Sequence, residues 1–543
     1  MLYLLFTILI ITPILIGWGT LLERYFSPLW EGGSSKFFSG ILLLTTTWTI
    51  LSFFISINEV IELSFGMVGL GLFIYSKGYT EAFSLLKQQP YLFVISLVFI
   101  LFFGSIYPFI LDHYGYYTST IDWISKAGLV KGIANLELIL GQMSLWHIFQ
   151  AGFSHFTDGA LRINAVVLLG FVMYIIERRV PIYWLFIPFL FLFVASPSPD
   201  LPVIIGALIL VNELVHKPKN LVGLWLFSVF IFAIKPIALW MPLAVGLYMV
   251  LVHRLWSWKY LAGVFMLGLV IIKNIWCFGY SIFPIQALDL GVSWKPNPEL
   301  MGISSRVAIL KTYDFQYSYD SIQQFNLWEY FYNWVTLEGI KGVINSLFVI
   351  LLLILIGLAF KKRNRILSII MISILIKSIL VLWFSAQYRF FLEVFFVGLF
   401  LMLGQRLSKQ FIYSIALLMS FALTILFVKP SLIKETIPSF SVGQYIGEVE
   451  SSQWLKPSVY KGVPYTTHQI GNLKFNVPRH YPFTFTTPLP AISPSFLYDY
   501  HRAKLFPQLI DSDLKKGFIW KPLTEQQQQE LKQILETLEQ EAL

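Results

Sequence analysis

Charge is scarce in this sequence. Asp, Glu, Lys and Arg make up 13% of its 543 residues and 57% are hydrophobic, whereas a soluble domain carries roughly 25% charged residues. With a mean hydropathy of +0.70, the chain is too poor in polar residues for an ordinary soluble enzyme and is expected to live in lipid. Cysteine is almost absent: Cys277 stands alone, which excludes an internal disulfide. Any part outside the membrane must then be held by packing. No pair of histidines has the spacing of an HExxH motif. His113, His147 and His155 do not suggest a zinc site, and no ligand cluster demands the divalent metal that the chemistry below would tolerate. No internal repeat is visible, which counts against an inverted-repeat transporter. Basic helices interleaved with aromatics are missing too, so the net charge of +9 does not point to nucleic acid.

What is present is apolar runs, and the placement of the positive charge between them. Residues 430–543 hold 11 Lys+Arg and 11 Asp+Glu, so the whole excess lies in the first 429 residues. Fourteen apolar runs occur there, at 2–22, 37–56, 60–76, 91–111, 162–176, 182–196, 201–215, 221–234, 236–252, 260–276, 342–360, 366–384, 390–404 and 411–428. About 20 helical residues cross the roughly 30 Å of hydrocarbon. Several runs between 162 and 252 are shorter, and are expected to be packed inside a bundle or broken near its midplane. The first run lacks a preceding basic residue and a small-residue cleavage site, so it is expected to be a retained span rather than a signal peptide.

Basic connections mark the cytoplasmic side. Arg24/Lys36, Lys77/Lys87, Arg178/Arg179, Lys217/Lys219, Arg254/Lys259, Lys361/Lys362/Arg363/Arg365 and Arg406/Lys409 alternate with nearly bare turns at 57–59, 196–200 and 385–388, and with a turn carrying only Lys235. That alternation predicts an all-α polytopic bundle of about 14 transmembrane helices, with loops 112–161 and 277–341 and everything after 430 outside. Three regions follow: N-terminal membrane helices (1–90), a membrane core with its outer loops (91–429), and a small mixed α/β extramembrane domain (430–543). In the last, 474–478 and 481–487 alternate apolar and polar residues as short strands do. Thr524 and Gln527 form a capping-box pattern ahead of Leu531, Ile534, Leu535 and Leu538, which predicts a final amphipathic helix.

The richest polar segment begins where the fourth run ends. Asp112 sits at the edge of hydrocarbon, where a partly desolvated carboxylate serves as a general base; a helix cap is the plainer alternative. Tyr117 and Asp122 follow in the same loop, Asp122 beside Trp123 as on an interfacial helix. Asp200, in Ser196-Pro-Ser-Pro-Asp200-Leu-Pro, either binds substrate or caps the next helix. Lys273-Asn274 and Arg389 lie near outer ends of their runs, against the general charge trend. A cation in such a place needs a partner, a lipid-linked phosphate or, for Arg389, Glu393 four residues on. The charges otherwise collect at the ends of runs, which favours a surface-facing site over a transport path.

Asp112-His-Tyr-Gly-Tyr-Tyr, Ile121-Asp-Trp-Ile, Ser196-Pro-Ser-Pro-Asp-Leu-Pro, Lys273-Asn274 with Gly279-Tyr280 and Pro284, Arg389-Phe390, and Pro488-Leu-Pro occur in this order. They resemble the blocks of a large family of uncharacterised bacterial polytopic membrane proteins, over most of the chain from about Tyr107. That family is similar in layout to the GT-C glycosyltransferases. The resemblance implies a sugar transfer from a polyprenyl-phosphate-linked donor to a glycan or lipid acceptor at the outer face of a bacterial inner membrane. By that resemblance Asp112 is the catalytic acidic residue; Arg389, Lys273, Asp200, Asn274, Tyr117 and Asp122 are expected, from their own placement, to bind substrate. A polymerase or ligase of the O-antigen type, or a flippase of lipid-linked glycans, are the rival readings.

Overall fold

The computed structural model describes residues 1–216, 220–253, 257–404, 406–429, 431–432, 435, 449–460 and 462–542. It is a mostly helical protein with a small sheet-containing C-terminal region. Among the described residues six helices, Leu2–Tyr25, Pro236–His253, Trp258–Phe278, Ile340–Lys362, Arg365–Phe384 and Lys409–Val428, are long and apolar enough to cross a membrane.

The chain opens with α1 (Leu2–Tyr25), α2 (Gly33–Leu51) and α3 (Glu59–Tyr75), followed by the short amphipathic α4 (Gly78–Gln88) and by α5 (Pro90–Ser105). Glycine sets the spacing of the first two. A Cβ at Gly40 would lie 2.0 Å from the Leu15 carbonyl oxygen, and one at Gly19 would lie 1.6 Å from that of Lys36, so the two backbones touch. The loop that follows carries α6 (Thr118–Ala127) and α7 (Leu145–Ala151) and leads into α8 (Ile163–Arg178).

Residues Ile163–Ile176 of α8, and Leu201–Leu214 of α10 (Asp200–Val215), are all buried. Between them the chain is broken into 3-10 turns around a single α-turn, α9 (Ile187–Leu190). A helix that is hydrophobic on every side belongs at the centre of a bundle, so these short segments lie inside one and need not face lipid. α8 packs against α2 and α5, and α10 against α11 (Leu221–Ile234), which is followed by α12 (Trp240–Tyr248) and α13 (Leu261–Phe278). Gly279 (φ +90°) ends α13 in a left-handed turn.

A second long loop holds α14 (Pro298–Thr312), α15 (Tyr319–Gln324) and α16 (Leu327–Val335), the last opened by a capping box between Asn326 and Glu329. Then come α17 (Ile340–Lys362), α18 (Arg365–Phe384), α19 (Leu392–Leu403) and α20 (Lys409–Val428).

In the C-terminal region β1 (Tyr465–Ile470) pairs antiparallel with β2 (Leu473–Pro478), and β3 (Leu505–Leu509) with β4 (Phe518–Pro522), with α21 (Pro494–Ala503) and α22 (Glu525–Ala542) beside them. Both halves of the Thr524–Gln527 capping box are made, and Leu531, Ile534 and Leu535 are buried. The strand expected at 481–487 does not form. His480 and Phe485 take positive φ, which turns the backbone away from any ladder, and Phe485 packs on Tyr114 at 5.0 Å instead.

Hydrogen bonds sort the connections into two ends. At one end, Glu177 accepts from Gly33 and Ser34, Arg178 pairs with Glu213 at 2.7 Å, and Lys259 donates to the Phe26 carbonyl. At the other end, the amino terminus donates to the Gln453 carbonyl, and Glu62 of α3 accepts from the backbone of His155, Phe156 and Thr157. There, too, the buried Arg162 donates to the carbonyls of Gly104 and Ser458. Both long loops and the C-terminal region gather at this second end. Phe518 N–H donates to Lys131 O at 2.9 Å, Tyr500 Oη to Leu136 O at 2.7 Å, and Trp520 Nε1 to Lys295 O at 3.1 Å.

Candidate functional site

Asp112 leads into a π-helical turn, His113–Tyr117, that runs straight on into α6. Such turns widen a helix by one residue and often occur at functional sites. This one aims Tyr116 and Tyr117 at the ends of α10 and α19 rather than along α6. Arg389 lies in a 3-10 turn, Tyr388–Phe391, just before α19. The backbone ahead of it is pinned on the second long loop: Ala386 N–H donates to Thr312 Oγ1 at 3.1 Å, and Trp334 Nε1 donates to Ala386 O at 2.7 Å.

These two elements meet. Arg389 Nη1 donates to Asp112 Oδ2 at 2.7 Å, with the side chains 39% and 26% exposed. The Nε of Arg389 is buried and has no hydrogen-bond partner among the described residues. Behind the pair, Lys235 and Asp200 form a second, more deeply buried ion pair, and Ser198 Oγ lies 3.2 Å from Asp200 Oδ2. Both cations lie against the ring of Phe390, with the Arg389 guanidinium carbon 5.3 Å and Lys235 Nζ 5.4 Å from its centroid. Lys311, exposed at the end of α14, has no ion-pair partner among the described residues; desolvation, and then repulsion from Arg389, lower its pKa. The site therefore offers three cations around two carboxylates.

Burial raises the phenol of Tyr117, with the charges of Tyr116, Asp112 and Asp200 adding to it. Tyr116 is raised in the same way, so both stay protonated as hydrogen-bond donors. Tyr117 packs against His147 with the rings tilted and their centroids 4.7 Å apart. Neither ring nitrogen of His147 reaches hydrogen-bond geometry among the described residues, although the Pro197 carbonyl faces it, and burial pushes its pKa down to about 3. The imidazole is therefore neutral. Among the described residues no group of three or more His, Cys, Asp or Glu is disposed to hold a metal.

Of the residues picked out from the sequence, Asp112, Arg389, Tyr117 and Asp200 come together. Three do not join them. Lys273 is buried and donates to the carbonyls of Gln142 and Met143 at 2.6 and 3.0 Å, fastening the first long loop close to His147. Asn274 donates to Ser281 O at 2.9 Å, and Asp122 pairs with Lys126 one turn along α6 at 2.7 Å. Glu393 is not the partner of Arg389. The intervening 3-10 turn breaks the i,i+4 alignment, and Glu393 binds Lys377 at 2.8 Å, both side chains 1% exposed, with Trp240 Nε1 at 3.2 Å.

Lys311 and His147 are additions that only the folded chain supplies. Lys377 had a signal in the sequence, because a lone charge inside an apolar run requires a partner.

A model of the family described as Domain of unknown function (DUF8201) matches residues 1–396, a stretch that includes Asp112, Asp200, Lys311 and Arg389. No curated protein and no solved structure matches the chain.

Proposed function

We propose, from the premise that the chain belongs to the DUF8201 family, that the Asp112–Arg389 site transfers a sugar from a polyprenyl-phosphate-linked donor to a glycan or lipid acceptor. In this reading the chain crosses a bacterial inner membrane fourteen times, in a layout similar to the GT-C glycosyltransferases. The end that carries the long loops and the C-terminal domain faces away from the cytoplasm.

The observation that carries the reading is the ion pair itself. Its partners come from positions 112 and 389 and meet at 2.7 Å while remaining partly exposed, and the arginine keeps a buried Nε–H with no partner among the described residues. A partly exposed pair of this kind is worth roughly 1 kcal/mol, so an arriving phosphate exchanges with Asp112 at little cost. It gains the forked Nε/Nη donors of Arg389, with Lys311 beside them.

The exchange frees the carboxylate where the acceptor needs a base. Asp112 takes the proton of the acceptor hydroxyl as its oxygen bonds to the anomeric carbon. The bond from that carbon to the phosphate oxygen breaks, and its electron pair stays on the phosphate, held by Arg389. Tyr116 and Tyr117 donate to the sugar or phosphate oxygens. A divalent metal, if used, would come with the substrate phosphate.

A flippase for the same lipid-linked glycan is the second reading, favoured by the Lys377–Glu393 pair, which lies within the bundle where a transport relay would lie. Mass spectrometry of lipid-linked glycans in a deletion strain complemented with Asp112→Asn, Arg389→Lys or Glu393→Gln separates the two. The transferase reading expects unextended donor and acceptor to accumulate with the first two variants at normal protein levels. Unchanged glycans with Asp112→Asn at normal protein levels reject it, and loss with Glu393→Gln alone supports the flippase.

A further inference from the structure

The end of the protein opposite the site carries a groove of about 710 Å³ that none of the chemistry above uses. Its walls are apolar: Leu251 and Val252 from the last turn of the Pro236–His253 helix, Phe360 from the end of α17, and Ile369 and Ile372 from α18. Arg363 and Arg365 stand at its mouth. The turn that holds them is tight. Arg363 takes a left-handed conformation (φ 45°) and returns its N–H to Ala359 O, and Asn364 caps α18 through Ile366 N at 2.9 Å. Both arginines therefore line the groove beside its apolar wall.

No carboxylate among the described residues neutralises them. Neither arginine has an ion-pair partner there, and the sequence has no Asp or Glu from 236 to 278 or from 340 to 392. Carboxylates elsewhere at this end are already committed, as Glu81 is to Lys36 and Glu213 to Arg178. From Arg365 to Ile372 the apolar wall descends about 10 Å along α18 at 1.5 Å per residue, a depth that only a hydrocarbon chain would fill. An inorganic anion gains nothing from such a wall. An uncharged lipid gains nothing from the arginines.

We propose that this groove binds one anionic phospholipid from the leaflet at the basic end, its phosphate on Arg363 and Arg365 and an acyl chain against Leu251, Phe360 and Ile372. The proposal does not depend on the reaction assigned to the opposite end. Lys361 and Lys362 provide an internal control, because they sit on the same turn and do not line the groove. Lipids drawn only by local positive charge would respond to all four residues, whereas a built site responds to two.

The test uses full-length protein in a neutral detergent, titrated with phosphatidylglycerol or phosphatidylcholine and followed by native mass spectrometry. One phosphatidylglycerol is expected to persist on the wild type and on Lys361→Gln/Lys362→Gln. Arg363→Gln/Arg365→Gln should bind it about thirtyfold more weakly, the effect of two basic residues near an anionic lipid. Ile372→Trp fills the wall with both arginines kept, and should lose the lipid as well. It provides the test if the arginine variant does not fold. Equal loss in the lysine and arginine variants overturns the proposal, as does equal retention of phosphatidylcholine. Displacement of phosphatidylglycerol by inorganic phosphate alone overturns it too, since that is a phosphate site without a lipid.

Discussion

The C-terminal domain should release from the first long loop as pH rises, and Glu137 sets the size of the effect. This carboxyl is fully buried where the loop meets the domain: one oxygen accepts from Ser493 N–H, and the other has no partner among the described residues. Desolvation raises its pKa from 4.5 to about 7, against the opposing pull of the Ser493 hydrogen bonds. The docked state therefore binds a proton that the released state gives up. Docking is strongest below pH 4.5, weakens between 4.5 and 7, and has lost the whole contribution above 7, where both states are ionised. A difference of about 2.5 pK units at roughly 1.4 kcal/mol each caps that loss at about 3 kcal/mol. Between pH 5.5 and 7.5 the same linkage raises the opening constant about twentyfold. Thiol labelling of an Ala491→Cys variant, a buried position beside the junction, reads the opening once corrected for thiol ionisation, and the buried Cys277 reports global unfolding in the same sample. In a Glu137→Gln background, which keeps an acceptor for Ser493 and removes the titration, labelling of the introduced thiol should be flat with pH. A corrected rise under about threefold in the parent, or a rise that survives Glu137→Gln, refutes the reasoning.

Gly40→Ala drives a methyl group into the Leu15 backbone. Because backbone cannot step aside as a side chain does, it should lower thermal stability by several kcal/mol, whereas Gly302→Ala, with open space at its Cβ, should leave Tm unchanged in the same melting experiment. Membrane-impermeant thiol reagent added to whole cells should label Gln469→Cys and not Lys362→Cys, both exposed positions at opposite ends of the bundle; the reverse pattern overturns the assigned orientation.

Much of the arrangement was legible because lipid leaves a chain few options. Alternating basic connections placed 112, 200 and 389 at a common end, and the hydrogen bonds joining the amino terminus, both long loops and the C-terminal region gather there. Short apolar runs between 162 and 252 foretold segments buried within the bundle. What sequence could not supply was lateral position. Lys273 and Arg389 look alike in the sequence, each a cation near an outer end. Only packing shows one fastened to two carbonyls and the other open beside Asp112. Lys311 gave no signal, since a lysine on a loop helix is commonplace until its neighbours are known. The 481–487 segment misled because its alternation of aromatics and threonines suits a strand and suits equally a folded strip that lays Phe485 over Tyr114.

That strip bears on why the site should be read as functional rather than merely structural. The frame around Asp112 is held by buried groups. Glu62 grips 155–157, Arg162 ties α5 to the C-terminal region, and Thr118 Oγ1 donates to Phe485 O at 3.2 Å. Protein that fixes a loop with interior hydrogen bonds has no need of a partly exposed ion pair to do the same work, because such a pair adds at most about 1 kcal/mol. Where a strong frame surrounds a weak and exchangeable contact, the frame serves to hold the contact in place, and the arginine it presents has an Nε–H without a partner among the described residues.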